Sequence, residues 1–124
     1  MRILIVDDAA PLRAALGHIV ASLGHEVAGV AEDAETALSL AGGLRPDVIA
    51  LDGRLVDDSL ALLTGLRAAA PEAGVLLVAS LGETALVRAA CSSGAAGALL
   101  RPFLRSRVAA ALSEFEAERV AAGR

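Results

Sequence analysis

Asp47-Val48-Ile49-Ala50-Leu51-Asp52 is a run of four apolar residues between two carboxylates, with Pro46 before it and Gly53 after it. An apolar run this short and this sharply bounded reads as a strand buried on both faces, the pattern of a parallel sheet covered by helices. Asp52 then stands at the carboxyl end of a central strand. In an open α/β sheet that edge is where ligands and chemistry gather, because strand ends and the loops after them form a crevice.

Working outward, Ile3 to Val6 is a second apolar run, and it too closes on acid, Asp7-Asp8. Val75 to Val78 makes a third, ending in Ala79-Ser80, and Ala96 to Leu100 a fourth, followed by Arg101-Pro102. Glu26 to Ala31 is a weaker strand with a glycine inside it, which suits a sheet edge. Helical spacing fills the intervals. Pro11 fits a first turn, Leu12, Ala15, Leu16, Ile19, Val20 and Leu23 form a stripe, and Gly24 closes it. A second helix starts at Glu32 or Asp33, carries Ala34, Ala37, Leu38 and Ala41, and ends at Gly42-Gly43. A third carries Leu60, Leu63 and Leu66 to about Ala70, before the break at Pro71-Glu72-Ala73-Gly74. The fourth, roughly Glu83 to Ser93, is apolar nearly all the way round, so it is either deeply buried or a partner surface. The fifth shows Leu104, Val108, Ala111, Leu112 and Phe115 on one face. Five strands alternating with five helices predict an α/β fold, a flavodoxin-like doubly wound parallel sheet in the order 2-1-3-4-5.

The 124 residues predict one domain over 1–124, long enough to bury roughly two thirds of its unfolded surface. Although 56% of residues are hydrophobic, no apolar run approaches the ~20 residues of a membrane span. The first strand reaches acid too soon for a signal peptide, and the expected location is cytoplasmic. A net charge of −4 argues against a nucleic-acid surface. No Gly-x-Gly-x-x-Gly or Walker-type loop follows the first strand, so no nucleotide site is supported. The single cysteine, Cys91, excludes a disulfide framework and reads as a small core or interface residue. His18 and His25 read as solvated or boundary residues. All eleven basic residues are arginine.

If the first and third strands are neighbours, their ends lie about 4.8 Å apart and Asp7, Asp8 and Asp52 converge. Carboxylates so close raise one another's pKa unless a cation compensates. Hard oxygen ligands at a sheet mouth suit magnesium, which keeps several waters and accepts a phosphoryl oxygen. A carboxylate beside it is a competent nucleophile toward phosphorus. The bland alternative is that Asp7 and Asp8 cap the first helix.

Val6-Asp7-Asp8, Asp52 closing the third strand, Gly94-Ala95-x-Gly97 and x-Pro102-Phe103 together resemble the receiver domain of two-component response regulators, over essentially the whole chain. The resemblance implies Asp52 as phosphoacceptor, Asp8 as direct magnesium ligand, Asp7 as a water-mediated one, and the backbone carbonyl of Arg54 completing the Mg2+ site. It implies a phosphohistidine of a sensor histidine kinase, a phosphotransfer protein or a small phosphodonor as the source, and a cis bond before Pro102. It also implies an interface, including a homodimer, through the fourth helix, last strand and fifth helix. Val87, Cys91 and Arg105 are the contacts expected there.

The departures surround the switch. Where the family has a threonine or serine at the end of the fourth strand, ungapped counting gives Ala79, and Ser80 falls one residue later. One deletion would bring Ser80 into register as phosphate ligand; without it, alternation predicts that Ser80 points away. Arg101 stands in place of the customary lysine, keeping the charge on a larger, planar head. Ala98 replaces the aromatic of the last strand, and Val56 and Ser59 replace the proline and glycine after the acceptor. Asp57 and Asp58 read as a solvated turn. Two functions follow: a phosphorylatable receiver, or an atypical receiver serving as a phosphate-indifferent interaction or dimerisation module. A free-standing hydrolase lacks a visible base or substrate pocket. With the sequence closing soon after the fifth helix, output is expected through a partner, self-association or sequence outside this chain.

Overall fold

The computed structural model describes residues 1–55 and 60–123. Its elements in order are β1 (Arg2–Val6), α1 (Ala10–Ser22), β2 (Glu26–Ala31), α2 (Ala34–Leu44), β3 (Val48–Asp52), a 3-10 turn (Gly53–Leu55), α3 (Leu60–Ala69), β4 (Gly74–Ser80), α4 (Thr84–Ser92), β5 (Gly97–Arg101) and α5 (Arg105–Ala121). The five strands form one parallel sheet in the order β2-β1-β3-β4-β5, the flavodoxin-like arrangement. Val56, Asp57, Asp58 and Ser59 lie outside the described residues.

Alternation along the buried strands divides the core in two. Leu4, Val6, Ile49, Leu51, Val75 and Leu77 face α2, α3 and α4, where Ala37, Ala41, Leu62, Leu63, Leu66 and Ala90 meet them. Ile3, Ile5, Val48, Ala50, Leu76 and Val78 face α1 and α5, against Leu16, Val20, Val108, Leu112 and Phe115. Helices on both sides are why the central strands carry continuous apolar runs. β2, the expected edge strand, is irregular, its pairing with β1 slipping between Ile3 and Leu4.

Two boundaries differ from expectation. α2 runs through Gly42-Gly43 to Leu44, and Arg45 caps it in the left-handed region with φ 50°. Leu44 is held in the helix because it packs over Gly29 of β2, where an added Cβ would sit 2.7 Å from Leu44 Cδ1. Pro46 then stops continuation. β5 starts at Gly97 rather than Ala96, which instead donates its N–H to the Val75 carbonyl. Of the two readings of α4, deep burial falls: among its residues only Ala90 is fully buried, and Ala85, Arg88, Ala89 and Cys91 lie open. Its apolar character comes from small alanines, which cover little area. No described helix is long and apolar enough to cross a membrane.

Gly74, at the start of β4, is pressed against the ring of Phe115 from α5, and an added Cβ would run into that ring. Gly74→Ala is therefore expected to destabilise the fold by about 1–3 kcal/mol through overpacking. Urea unfolding measures this, and an unchanged midpoint would contradict the close approach.

Candidate functional site

Parallel register carries Asp7 and Asp52 to the same edge, because Val6 pairs with Leu51 at the last shared position of β1 and β3. Asp52 is fully buried, Asp7 nearly so, and Asp8 exposed. One carboxylate oxygen from each lies within 4.8 Å of the others. The expected convergence is therefore present. Neither acid caps α1, whose N-cap is Ala9 without a side-chain bond. Asp7 Oδ1 instead accepts the Ala9 N–H at 2.8 Å, and Arg13 Nη1 donates to the Asp7 carbonyl at 2.7 Å, which fixes the loop leaving β1.

The compensating cation comes from the chain itself. The 3-10 turn after β3 folds Arg54 back so that its side chain, rather than only its backbone, meets the acids. Arg54 Nη2 lies 2.9 Å from Asp7 Oδ1, 3.5 Å from Asp8 Oδ1 and 2.8 Å from Asp52 Oδ2. Arg54 Nε donates to Asp52 Oδ2 at 2.9 Å, and its backbone N–H to Oδ1 at 3.1 Å. The sequence reading assigned Arg54 a carbonyl and missed this guanidinium. The signal was available, since three carboxylates demanded a cation and Arg54 is two residues from Asp52.

On the opposite side Arg101 Nη1 donates to Asp52 Oδ1 at 2.9 Å, and its Nη2 reaches Ser80 Oγ at 3.3 Å. Ser80 pairs with Arg101 across β4 and β5. Ala79 is buried in the α2-α3-α4 cluster, whereas Ser80 continues the alternation of Ala50 and Val78 and so shares a side of the sheet with Asp52. The expectation that an ungapped Ser80 points away is corrected: its hydroxyl meets Asp52 through Arg101. Glu83, which the sequence reading passed over, accepts the Ser80 N–H at 2.6 Å and lies 3.7 Å from Arg101 Nη2. The Ser-x-x-Glu spacing of a capping box was its signal. The Arg101-Pro102 bond is cis, as expected.

Burial pushes the Asp52 carboxyl up, but hydrogen bonds from Arg54 and then Arg101 outweigh it and hold the group below the usual carboxylate range. Asp7 goes the other way. Burial raises it, and the neighbouring Asp52 charge adds to the rise against the Ala9 N–H and Arg54. The two buried carboxyls are thus shifted in opposite directions, Asp52 toward its ionised form.

Of the expected interface residues, Cys91 is exposed on α4, so its core reading falls. Val87 is half-buried and packs on the core beneath α4, because its position on the helix turns it inward, which corrects its reading as an exposed contact. Arg105 is exposed but tied to the end of α1, donating to Ser22 Oγ and carbonyl at 3.1 Å each. His18 is exposed and His25 partly buried at the boundary, as expected.

A flavodoxin-like sheet with carboxylates gathered at its carboxyl edge defines the class of domain. Residues 3–113 match the response regulator receiver domain. The chemotaxis protein CheY of Thermotoga maritima is 32% identical over 114 residues, 91% of this chain and 95% of that protein. Among solved structures, the receiver domain of NtrX from Brucella abortus superposes with a TM-score of 0.81 at 29% identity, covering 91% of this chain and 96% of that one. The receiver domain of AraT, a response regulator from Geobacillus stearothermophilus, gives 0.84 at 25% identity, covering 99% and 98%. The chain belongs to the receiver domains of response regulators, and it is CheY-like over nearly its whole length. Such domains are signalling modules rather than conventional enzymes, and they bind Mg2+ at their acidic pocket.

Proposed function

We propose that this chain is a single receiver domain, working in the cytoplasm, that accepts a phosphoryl group on Asp52 from a histidine kinase or phosphotransfer protein and signals through protein contacts. The observation that carries this reading is Asp52 itself: fully buried at the sheet edge, yet held ionised between two arginines. An ionised carboxylate oxygen attacks the phosphorus of a phosphohistidine. The P–N bond breaks, its electron pair leaves on the imidazole nitrogen, which takes a proton, and an acyl phosphate remains on Asp52. Arg101 is placed to receive a phosphoryl oxygen, and Ser80 is placed to hold Arg101.

The donor set of Asp7, Asp8 and Asp52 suits a hard divalent cation, and a guanidinium already lies among these oxygens, which supports a cation-binding role. Together with the Arg54 carbonyl these residues would hold Mg2+, which when bound neutralises charge on the phosphoryl group. Output through α4, β5 and α5, including self-association, belongs to the same proposal.

The phosphate-indifferent reading draws on two observations: both Asp52 oxygens are engaged by arginine, and Ala79 and Ala98 offer neither hydroxyl nor aromatic ring. Intact-mass analysis after incubation with acetyl phosphate or phosphoramidate, with and without Mg2+, separates the two. The expected result is a gain of one phosphoryl group that requires Mg2+. A folded protein that binds Mg2+ and gains no mass would sink the acceptor reading in favour of the interaction module.

A further inference from the structure

We propose that Arg54 is a built-in substitute for the metal ion, a guanidinium that a divalent cation must displace to enter, so that Arg54 sets the affinity of the site for magnesium. This rests on reading the acid cluster as the magnesium site, and it concerns a side chain to which that reading gives no role.

Three features carry it. The first is position. A single nitrogen, Arg54 Nη2, lies within 3.5 Å of an oxygen from each of Asp7, Asp8 and Asp52. A magnesium ion bonds such oxygens at about 2.0–2.1 Å. It cannot share them with a guanidinium seated between the same carboxylates, so the two occupations exclude each other. The second is charge. Without a cation, Asp7 and Asp52 are buried like charges whose repulsion neutralises one of them. Arg54 supplies the positive charge in the metal-free protein, its Nε and Nη2 lying 2.9 and 2.8 Å from Asp52 Oδ2.

The third is release. The side chain of Arg54 is 44% exposed, against 11% for Arg101. Arg101 is also held on its far side, its Nη2 lying 3.3 Å from Ser80 Oγ and 3.7 Å from Glu83 Oε1. Arg54, nearly half exposed, leaves by rotating its stem into water, where its charge is solvated. The 3-10 turn keeps it two residues from Asp52, so it returns as readily as it leaves. The two arginines on one carboxylate therefore differ in kind: Arg101 is a fixed anchor and Arg54 a displaceable one.

The cost to metal binding follows from population arithmetic. An arginine seated about nine-tenths of the time lowers apparent metal affinity about tenfold, because only the open fraction binds. Calorimetric titration of Mg2+ into the unphosphorylated native chain, Arg54→Ala and Arg54→Gln tests this, with Mn2+ relaxation of water protons as a second readout. Arg54→Gln keeps the stem and a hydrogen bond to Asp52, guarding against loss of fold. Both variants are expected to bind Mg2+ about tenfold more tightly than the native chain and to gain more in melting temperature on adding it. Affinities equal to native, or weaker, in both folded variants would overturn the proposal while leaving the acceptor reading intact. Failure of all three folded proteins to bind Mg2+ would remove the gate and the magnesium site together. Phosphoryl labelling, read separately by mass, distinguishes that case from a failed acceptor.

Discussion

Asp52→Asn is expected to abolish phosphoryl labelling altogether, with no transfer to Asp7 or Asp8. The three acids lie within 4.8 Å of one another, but their environments are different. Asp7 Oδ1 is taken up by the Ala9 N–H and by Arg54, which fix it as part of the loop leaving β1. Asp8 is exposed and lacks the Arg101 contact. Asparagine preserves the shape of the fully buried side chain and removes its charge. Arg101, largely buried, is left with an amide oxygen in place of an ionised partner, which costs about 1–2 kcal/mol of stability as a charge-paired hydrogen bond weakens. The sign with pH is fixed by direction. The folded-state pKa of Asp52 is depressed, so its contribution is present above the unfolded value of about 3.9 and is lost as pH falls through the folded value. The difference in stability between native and variant therefore narrows on acidification. Intact mass and urea unfolding read both effects, and labelling that persists in Asp52→Asn at another aspartate would overturn the assignment.

The sheet and its acid edge were legible because both are written locally. Val48 to Leu51 and Ile3 to Val6 have no polar residue to place on either face, which leaves a doubly covered strand as the only economical fate. The carboxylates that end them mark where burial stops. Strand order followed from the topology that such units adopt. What escaped was whatever depends on a side chain crossing between elements. Arg54 looked like a loop residue with a useful carbonyl, and only the turn at Gly53–Leu55 shows that its guanidinium lands on three carboxylates. Ser80 was placed by counting along the chain, but its relation to Asp52 runs through the β4–β5 pairing and Arg101. The glycines at 42 and 43 looked like an ending, because the pull of Leu44 onto Gly29 is a contact between distant segments. Val87 looked exposed on a helix whose apolar residues went nearly all round, and periodicity gave no means of choosing the inward side.

Arg101→Ala is expected to slow phosphoryl transfer to Asp52 by about a hundredfold, the usual cost of removing one preorganised donor from developing oxyanion charge. The geometry supports preorganisation at this residue. Its Nη1 is already 2.9 Å from the oxygen that forms or flanks the new bond, and its Nη2 is steadied by Ser80 and Glu83, so little rearrangement accompanies the reaction. Arg101→Lys keeps the charge but offers a point donor instead of a fork, and it is expected to recover a large part of the lost rate. Mass gain against time with phosphoramidate measures both variants. A rate for Arg101→Ala close to native would show that Arg101 merely balances the charge of Asp52 in the resting protein. The contrast with Arg54 makes the prediction discriminating. If both arginines were simple counter-ions, removing either would impair the site in the same direction. A displaceable Arg54 and an anchored Arg101 instead require opposite signs: removing the first admits magnesium more readily, and removing the second takes away a group that the phosphoryl oxygen needs.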